Sequence, residues 1–305
     1  MTYRFTGAIG AGLAAMLLAG AAGAADAAEV RIKNAVARVV VIPEARSDIK
    51  VEVSGSHPAL PQLQVSGSPG DRVTIDGGLD RRVRGCSTHL SHASEINPAT
   101  PPAGVRIRVR DAGEIELRDA PLITIHTPMD VHIDASGAVF GSIGRSDSVN
   151  LGNAGCGDWT VANTHGPLSV SVAGSGDIRT GSGGDAHASI AGSGDISMGP
   201  IGSLKASVAG SGDISAVAVQ GWVDASIAGS GDVRVKSGRV ERVKASIAGS
   251  GDVTVDAPVG DVEASIMGSG DVKVGPASGR VSRTVMGSGS VVVGGKVYGR
   301  KDGGE

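Results

Sequence analysis

Val243-Lys244-Ala245-Ser246-Ile247-Ala248-Gly249-Ser250-Gly251-Asp252-Val253-Thr254-Val255 is the stretch that decides the fold. Val243, Ala245 and Ile247 alternate with Lys244, Ser246 and Ala248, the period-2 pattern of a strand with one buried face. Ser250-Gly251 reads as a turn. Asp252 then precedes a second alternation with Val253 and Val255 inward, and Asp256 to Gly260 forms another turn region. No window of this stretch carries a helical period.

The same unit recurs along the C-terminal half. Val172-Ala173-Gly174-Ser175-Gly176-Asp177-Ile178 returns at 190–196, 208–214, 227–233, 247–253 and 266–272. A last copy, 285–291, carries Ser290 in place of Asp, and a degraded one upstream reads Asn153-Ala154-Gly155-Cys156-Gly157-Asp158-Trp159. The aligned residues Asp158, Asp177, Asp195, Asp213, Asp232, Asp252 and Asp271 are separated by 18 to 20 residues. One such unit cannot bury its apolar side, but stacked copies can, each strand pairing with its equivalent about 4.8 Å away. The expected fold is therefore all-β, a parallel β-helix of coils of 18–20 residues. A β-propeller is excluded because its blades need about 40 residues. Gly is 49 of 305 residues and aromatics are 2 %. That suits a thin core of Val, Ile and Ala that excludes large rings, with glycines allowing positive φ at the corners.

Around the repeat region, 129–294, the chain divides further. Residues 29–128 read as a β-strand lead-in, with strands at Ala37–Ile42, Ile49–Val53, Val73–Ile75 and Val105–Val109, that covers the otherwise open first coil. Between them, 78–102 is a polar excursion expected to be a surface loop. Residues 295–305 form a polar tail. At the other end, Arg4, the small-residue apolar run Ala8 to Gly20 and Ala-x-Ala sites near Ala24 to Ala28 make 1–27 an expected secretory signal peptide. The expected location is the periplasm or the cell exterior, with no membrane span after cleavage.

A net charge of −3 without basic clusters argues against nucleic acid as a partner. The cysteines, Cys86 and Cys156, are expected to pair in an oxidising compartment, two separate thiols being the alternative.

The strand pair Val40-Val41-Ile42-Pro43 … Ile49-Lys50-Val51-Glu52-Val53, then Leu60 to Val65, Val73-Thr74-Ile75 and the reiterated Ser-(Ile/Val)-x-Gly-Ser-Gly-Asp-(Ile/Val) resemble the bacterial head GIN domain family, described as auto-transporter adhesin heads. The resemblance covers most of the chain after the signal sequence. It implies a right-handed parallel β-helix, exported, with a role in adhesion or envelope structure. Nothing in this chain corresponds to a translocator barrel.

The Asp column is the sharpest chemical feature. In register, Asp177, Asp195, Asp213, Asp232, Asp252 and Asp271 lie about 4.8 Å apart, where neighbouring carboxylates repel by about 0.9 kcal/mol in water. Each is expected to accept N–H groups of its own corner, as in Asx turns. The alternative is a calcium-stabilised roll, since Gly-x-Gly-x-Asp also occurs in calcium-binding nonapeptide repeats. Those rolls need the motif twice per coil, and the second half-coil here offers only Asp185 and Asp261. No cofactor is implied.

A polysaccharide-binding or polysaccharide-cleaving β-helix is the other alternative, but cleavage needs paired carboxylates in a cleft, and the expectation is not an enzyme. His57, His89, His92, His126, His132, His165 and His187 raise the alternative of a metal site, but His89-Leu-Ser-His92, the pair with workable spacing, sits in a Pro- and Ser-rich stretch and reads as a solvated loop. Trp159 and Trp222 read as partial core or coil-surface residues. The expected partner is an envelope protein or a glycan surface.

Overall fold

The computed structural model describes residues 28–88, 97–101 and 103–298. The stretch that opened the sequence analysis forms a long strand, Val240–Gly249, a corner, and a short strand, Val253–Val255. Val243, Ala245 and Ile247 are buried, and Lys244, Ser246 and Ala248 are exposed. The long strands Leu168–Gly174, Ala186–Gly192, Leu204–Gly210, Trp222–Gly229, Val240–Gly249, Val259–Gly268 and Val281–Gly287 pair in parallel, each with its equivalents in the coils before and after. The short strands form a second parallel sheet in the same way. The molecule is a parallel β-helix of about nine turns with coils of about 19 residues.

Because the register never slips through the repeats, side chains stack in columns. Ile190, Val208, Ile227, Ile247 and Ile266 form one inward column, and Ala188, Ala206, Ala225, Ala245 and Ala264 form another. One large ring breaks the expectation that the interior excludes aromatics. Trp159 is 1 % exposed and lies within the main core. It pairs with Gly141 of the preceding coil, and a Cβ at Gly141 would strike the indole. The ring occupies the volume that a side chain at position 141 would have filled.

Two glycines per corner are needed, for different reasons. The first, such as Gly210 and Gly229, has φ of 144° and 141°, a region open mainly to glycine. The second, such as Gly231, has no unusual φ. A Cβ there would collide with the carbonyl oxygen of Gly212, its equivalent one coil earlier. Close approach of backbones, rather than turn geometry, fixes this second glycine.

The N-terminal region joins the stack directly. Strand Glu29–Pro43 pairs in parallel with Asp130–Ile143, and on its other side with Arg72–Asp76 and Leu122–Thr127. Antiparallel strands Lys50–Ser54 and Gln64–Gly67 then flank the latter two.

The polar excursion expected as a loop is partly ordered sheet. Val83–Thr88 pairs antiparallel with Val105–Val109, which pairs with Gly113–Glu116. This three-stranded sheet has its own apolar cluster. Ile107, Ile115 and Leu117 pack there with Val36, Ala138 and Phe140 from the first coils. Val83 and Cys86 supply partly buried apolar side chains to that cluster, which gives the segment a reason to form a strand despite its polar flanks. Cys86 and Cys156 lie with Cα atoms 5.6 Å apart and their sulfurs in disulfide contact, a separation such a bridge spans. Cys156 takes the place that Ser holds in the later corners, at a corner this side sheet covers.

At the C-terminal end, Lys296–Tyr298 pairs antiparallel with Val291–Val293. Arg283 stands where earlier coils place inward Ala, with its guanidinium 6.0 Å from the Tyr298 ring centroid. The expected signal peptide, His89, His92 and most of the expected tail lie outside the described residues.

Gly231→Ala is expected to destabilise the protein by about 3 kcal/mol or more, since backbone must move to admit the methyl group. Ala228→Ser, on the exposed face of the strand that leads into this corner, should change stability by less than about 0.5 kcal/mol. Thermal unfolding followed by circular dichroism distinguishes the two.

Candidate functional site

The Asp column forms, but its hydrogen bonds do not stay within one corner. Asp177 Oδ1 accepts the backbone N–H of Asp195 at 2.9 Å, Asp195 that of Asp213 at 2.8 Å, and Asp213 that of Asp232 at 2.8 Å. Asp232 and Asp252 continue the series to Asp252 and Asp271. The expected Asx-turn bond is thus replaced by a bond to the next coil. The reason lies in the other corner amides. Ser193 and Gly194 N–H both donate to the Gly174 carbonyl of the coil before, and Ile196 N–H donates forward to the Asp213 carbonyl. Only the Asp amide lacks a backbone acceptor, and the carboxylate one coil earlier supplies it.

The series ends at Ser290, whose N–H and hydroxyl both donate to Asp271 Oδ1 at 2.8 and 2.9 Å. At the second corner Asp185 and Asp261 make the same bond, to Ser203 and Arg280 N–H, and Asn163 Oδ1 makes it to Ser182 N–H. A neutral amide oxygen can therefore take the same place as a carboxylate.

The two ends of the column differ electrostatically. Asp158, half-buried beside the N-terminal coils, has its carboxyl pushed up to about 6. Burial dominates, the Asp177 charge adds to it, and the Asp177 N–H and Arg179 only partly oppose it. At Asp271 burial acts upward too, but the Ser290 donors and Lys273 outweigh it and hold the group below the ordinary Asp range. Lys273 Nζ also lies 3.6 Å from Asp252.

Outside the column, the long sheet presents an outward face of unusual regularity. Ser171, Ser189, Ser207, Ser226, Ser246 and Ser265 form one column. Beside it runs a column of exposed Ala that ends in Met267 and Met286, each 58 % exposed. A third column is chemically varied: His132, Asn150, Ser169, His187, Lys205 and Asp224. A cavity of about 580 Å³ runs along this third column and ends at Trp222.

Among the described residues, Glu29, His132 and Asp134 bring potential metal-ligand atoms within 4.8 Å of one another. The Glu29 carboxylate is already held by Arg31 at 2.7 Å and Arg72 at 2.6 Å. Burial pushes its carboxyl up, and those two guanidinium groups outweigh the effect and hold it below the usual range. The remaining described histidines are spread over the molecule: His126 contacts Glu44 and His165 contacts Asp147, each at 3.0 Å.

The model of a family described as "Putative auto-transporter adhesin, head GIN domain" matches residues 50–218 and 217–296. The chain belongs to this family. No curated protein matches it. The family is described as an adhesin head and not as an enzyme. In this head GIN chain no described helix is long and apolar enough to cross a membrane. The sequence marked the Asp column but pointed its hydrogen bonds to each residue's own corner, whereas they run to the next coil. It did not single out the Ser face or the groove, although the column registers follow from the repeat spacing.

Asp213→Ala removes the acceptor of the Asp232 amide and is expected to cost about 1–3 kcal/mol. Asp213→Asn keeps an oxygen and removes a like charge, so its cost should be less than half of that. Melting curves with calcium and with chelator should show the same ordering of variants; a calcium-dependent collapse of the wild type would instead make the column a metal ladder.

Asp158 gives a pH dependence of definite sign. Its folded pKa lies above the unfolded value, so the folded state holds the proton more tightly. The stabilisation is full below about pH 4 and is lost as pH rises through about 6, on the order of 2–3 kcal/mol. Asp158→Asn should remove that component, read as a flatter melting temperature between about pH 4 and 6.5 than the wild type shows.

Proposed function

We propose that this head GIN protein is an exported, non-enzymatic scaffold that acts by presenting the Ser–Ala face of its long sheet to a partner in the cell envelope. The observation that carries the reading is the regularity of that face. Its Ser column runs unbroken through six successive coils and its Ala column through five before Met267, on a frame in which the amides of the Gly-Ser-Gly-Asp corners are bonded to neighbouring coils. Such a surface can meet a partner without first ordering itself, which lowers the entropic cost of binding.

The family description supports adhesion, and the basic head and apolar run before residue 28 support export. A Cys86–Cys156 bridge fits an oxidising compartment outside the cytoplasm. The carboxylates of the Asp column form a line of equivalents committed to backbone amides, unlike the acid and base pair that polysaccharide cleavage requires.

Binding of the labelled mature protein to washed cell envelopes tests the proposal. Ser207→Arg combined with Ser226→Arg should weaken binding by about tenfold or more, equivalent to about 1.4 kcal/mol. Ser197→Arg, on the exposed side of the short-strand sheet, should leave it within about twofold. Equal loss from both surfaces would contradict the assignment of the face. Release of reducing sugar ends from envelope polysaccharide would make the protein a hydrolase instead.

A further inference from the structure

Trp222 stands at an outward position of its strand, the residue before inward-facing Val223. Its register partner in the following coil is Arg242, which in turn pairs with Asp261. It is half-buried and lies outside both apolar clusters. It forms one end of the cavity of about 580 Å³ that runs parallel to the axis of the β-helix. The cavity's other polar groups come from successive coils, so they repeat at the spacing of the β-ladder, about 4.8 Å. The side chains of Ser169, His187 and Lys205 have no hydrogen-bond or ionic partner among the described residues. Asp185 commits Oδ1 to the Ser203 amide and keeps Oδ2 for another donor.

We propose that this groove binds an extended, uncharged glycan chain along the axis, with the apolar face of one sugar on the Trp222 indole and hydroxyl groups hydrogen-bonded to His187, Lys205, Ser169 and Asp185. The proposal rests on the surface-presenting reading given above and names the chemistry of its partner. A sugar ring offers an apolar C–H face edged by groups that both donate and accept, and the groove offers one aromatic plane followed by both kinds of group. A concave site with a mainly apolar wall and a few placed polar groups is the usual form of a small-ligand site. Its charges are mixed, with Asp130 and Asp185 beside a single lysine, which disfavours an anionic polymer such as nucleic acid. A peptide strand would seek an open sheet edge, and the floor of this groove is paired on both sides.

The two tryptophans make the test specific, because Trp159 is buried in the core. Titration of the intact protein with β-1,4-linked glucose and N-acetylglucosamine oligomers, which are extended, is followed by calorimetry and indole fluorescence. Coiled α-1,4-linked oligomers serve as the comparison. Saturable binding of the extended oligomers with a change in Trp222 emission is expected. Trp222→Ala should weaken it by about thirtyfold or more, as loss of a central aromatic anchor does, while Trp222→Phe keeps it within about fivefold. His187→Ala should weaken it by a smaller factor without altering the melting temperature. Absence of heat and of fluorescence change with every extended oligomer overturns the glycan assignment, as does binding that Trp222→Ala leaves intact. If envelope binding still depends on Ser207 and Ser226 in that case, the scaffold reading stands with a protein partner and only the groove assignment falls.

Discussion

Coils stacked at the spacing of a β-ladder impose one constraint from which most of this structure follows: every backbone group at a corner must find its partner in an adjacent coil. Strands solve this automatically, but corners do not, because the chain turns and its amides point away from a regular ladder. The Gly-Ser-Gly-Asp unit meets the constraint residue by residue. The first glycine takes a left-handed φ, and its carbonyl accepts two amides from the following coil. The second glycine allows the coils to approach without a Cβ between them. The aspartate oxygen stands in for the one carbonyl that the turn removes. Each residue of the motif therefore answers a different part of the same problem, and the motif repeats because the problem does.

The ends of the stack follow the same logic in reverse. Among the described residues no further coil follows the last copy, and there the aspartate becomes Ser290, whose N–H and hydroxyl donate to Asp271. In that coil the inward Ala column becomes Arg283 beside Tyr298, so a charged group blunts a strand edge that would otherwise invite pairing. At the first coils the antiparallel strands Lys50–Ser54 and Gln64–Gly67 and the side sheet around Ile107 complete the covering. An internal stack of identical units is open-ended in principle. These departures are what make it finite.

Much of this was legible in the sequence because repetition displays a requirement many times over. The strands, the coil length, the parallel stacking and the alignment of the Asp column all follow from Val243–Val255 and its copies. What the copies do not display is which neighbour a side chain reaches. An Asp bonded within its own corner and one bonded to the next coil leave the same periodic trace, so the Asx-turn expectation was reasonable and mistaken. Contacts made once were also hidden. The strand Val83–Thr88 forms against residues far along the chain, and its polar composition argued for a loop. Trp159 enters the core because Gly141 vacates the space, a pairing across coils that composition alone does not reveal.

That last contrast bears on where function resides. In a repeat, each inward departure must be matched by a neighbour, because the interior is closed and a ring needs volume from somewhere. Trp159 is matched by Gly141, and the pair therefore reports packing. An outward departure is under no such obligation. Trp222 interrupts a polar column, yet its own strand keeps register with the coils on both sides, and the core gains nothing from its ring. The corner chemistry accounts for the glycines and aspartates, and the interior accounts for the aliphatic columns. The indole at 222 and the free polar groups beside it are explained by neither. In a molecule whose sequence is otherwise set by stacking, such residues mark the surface where something other than another coil is bound.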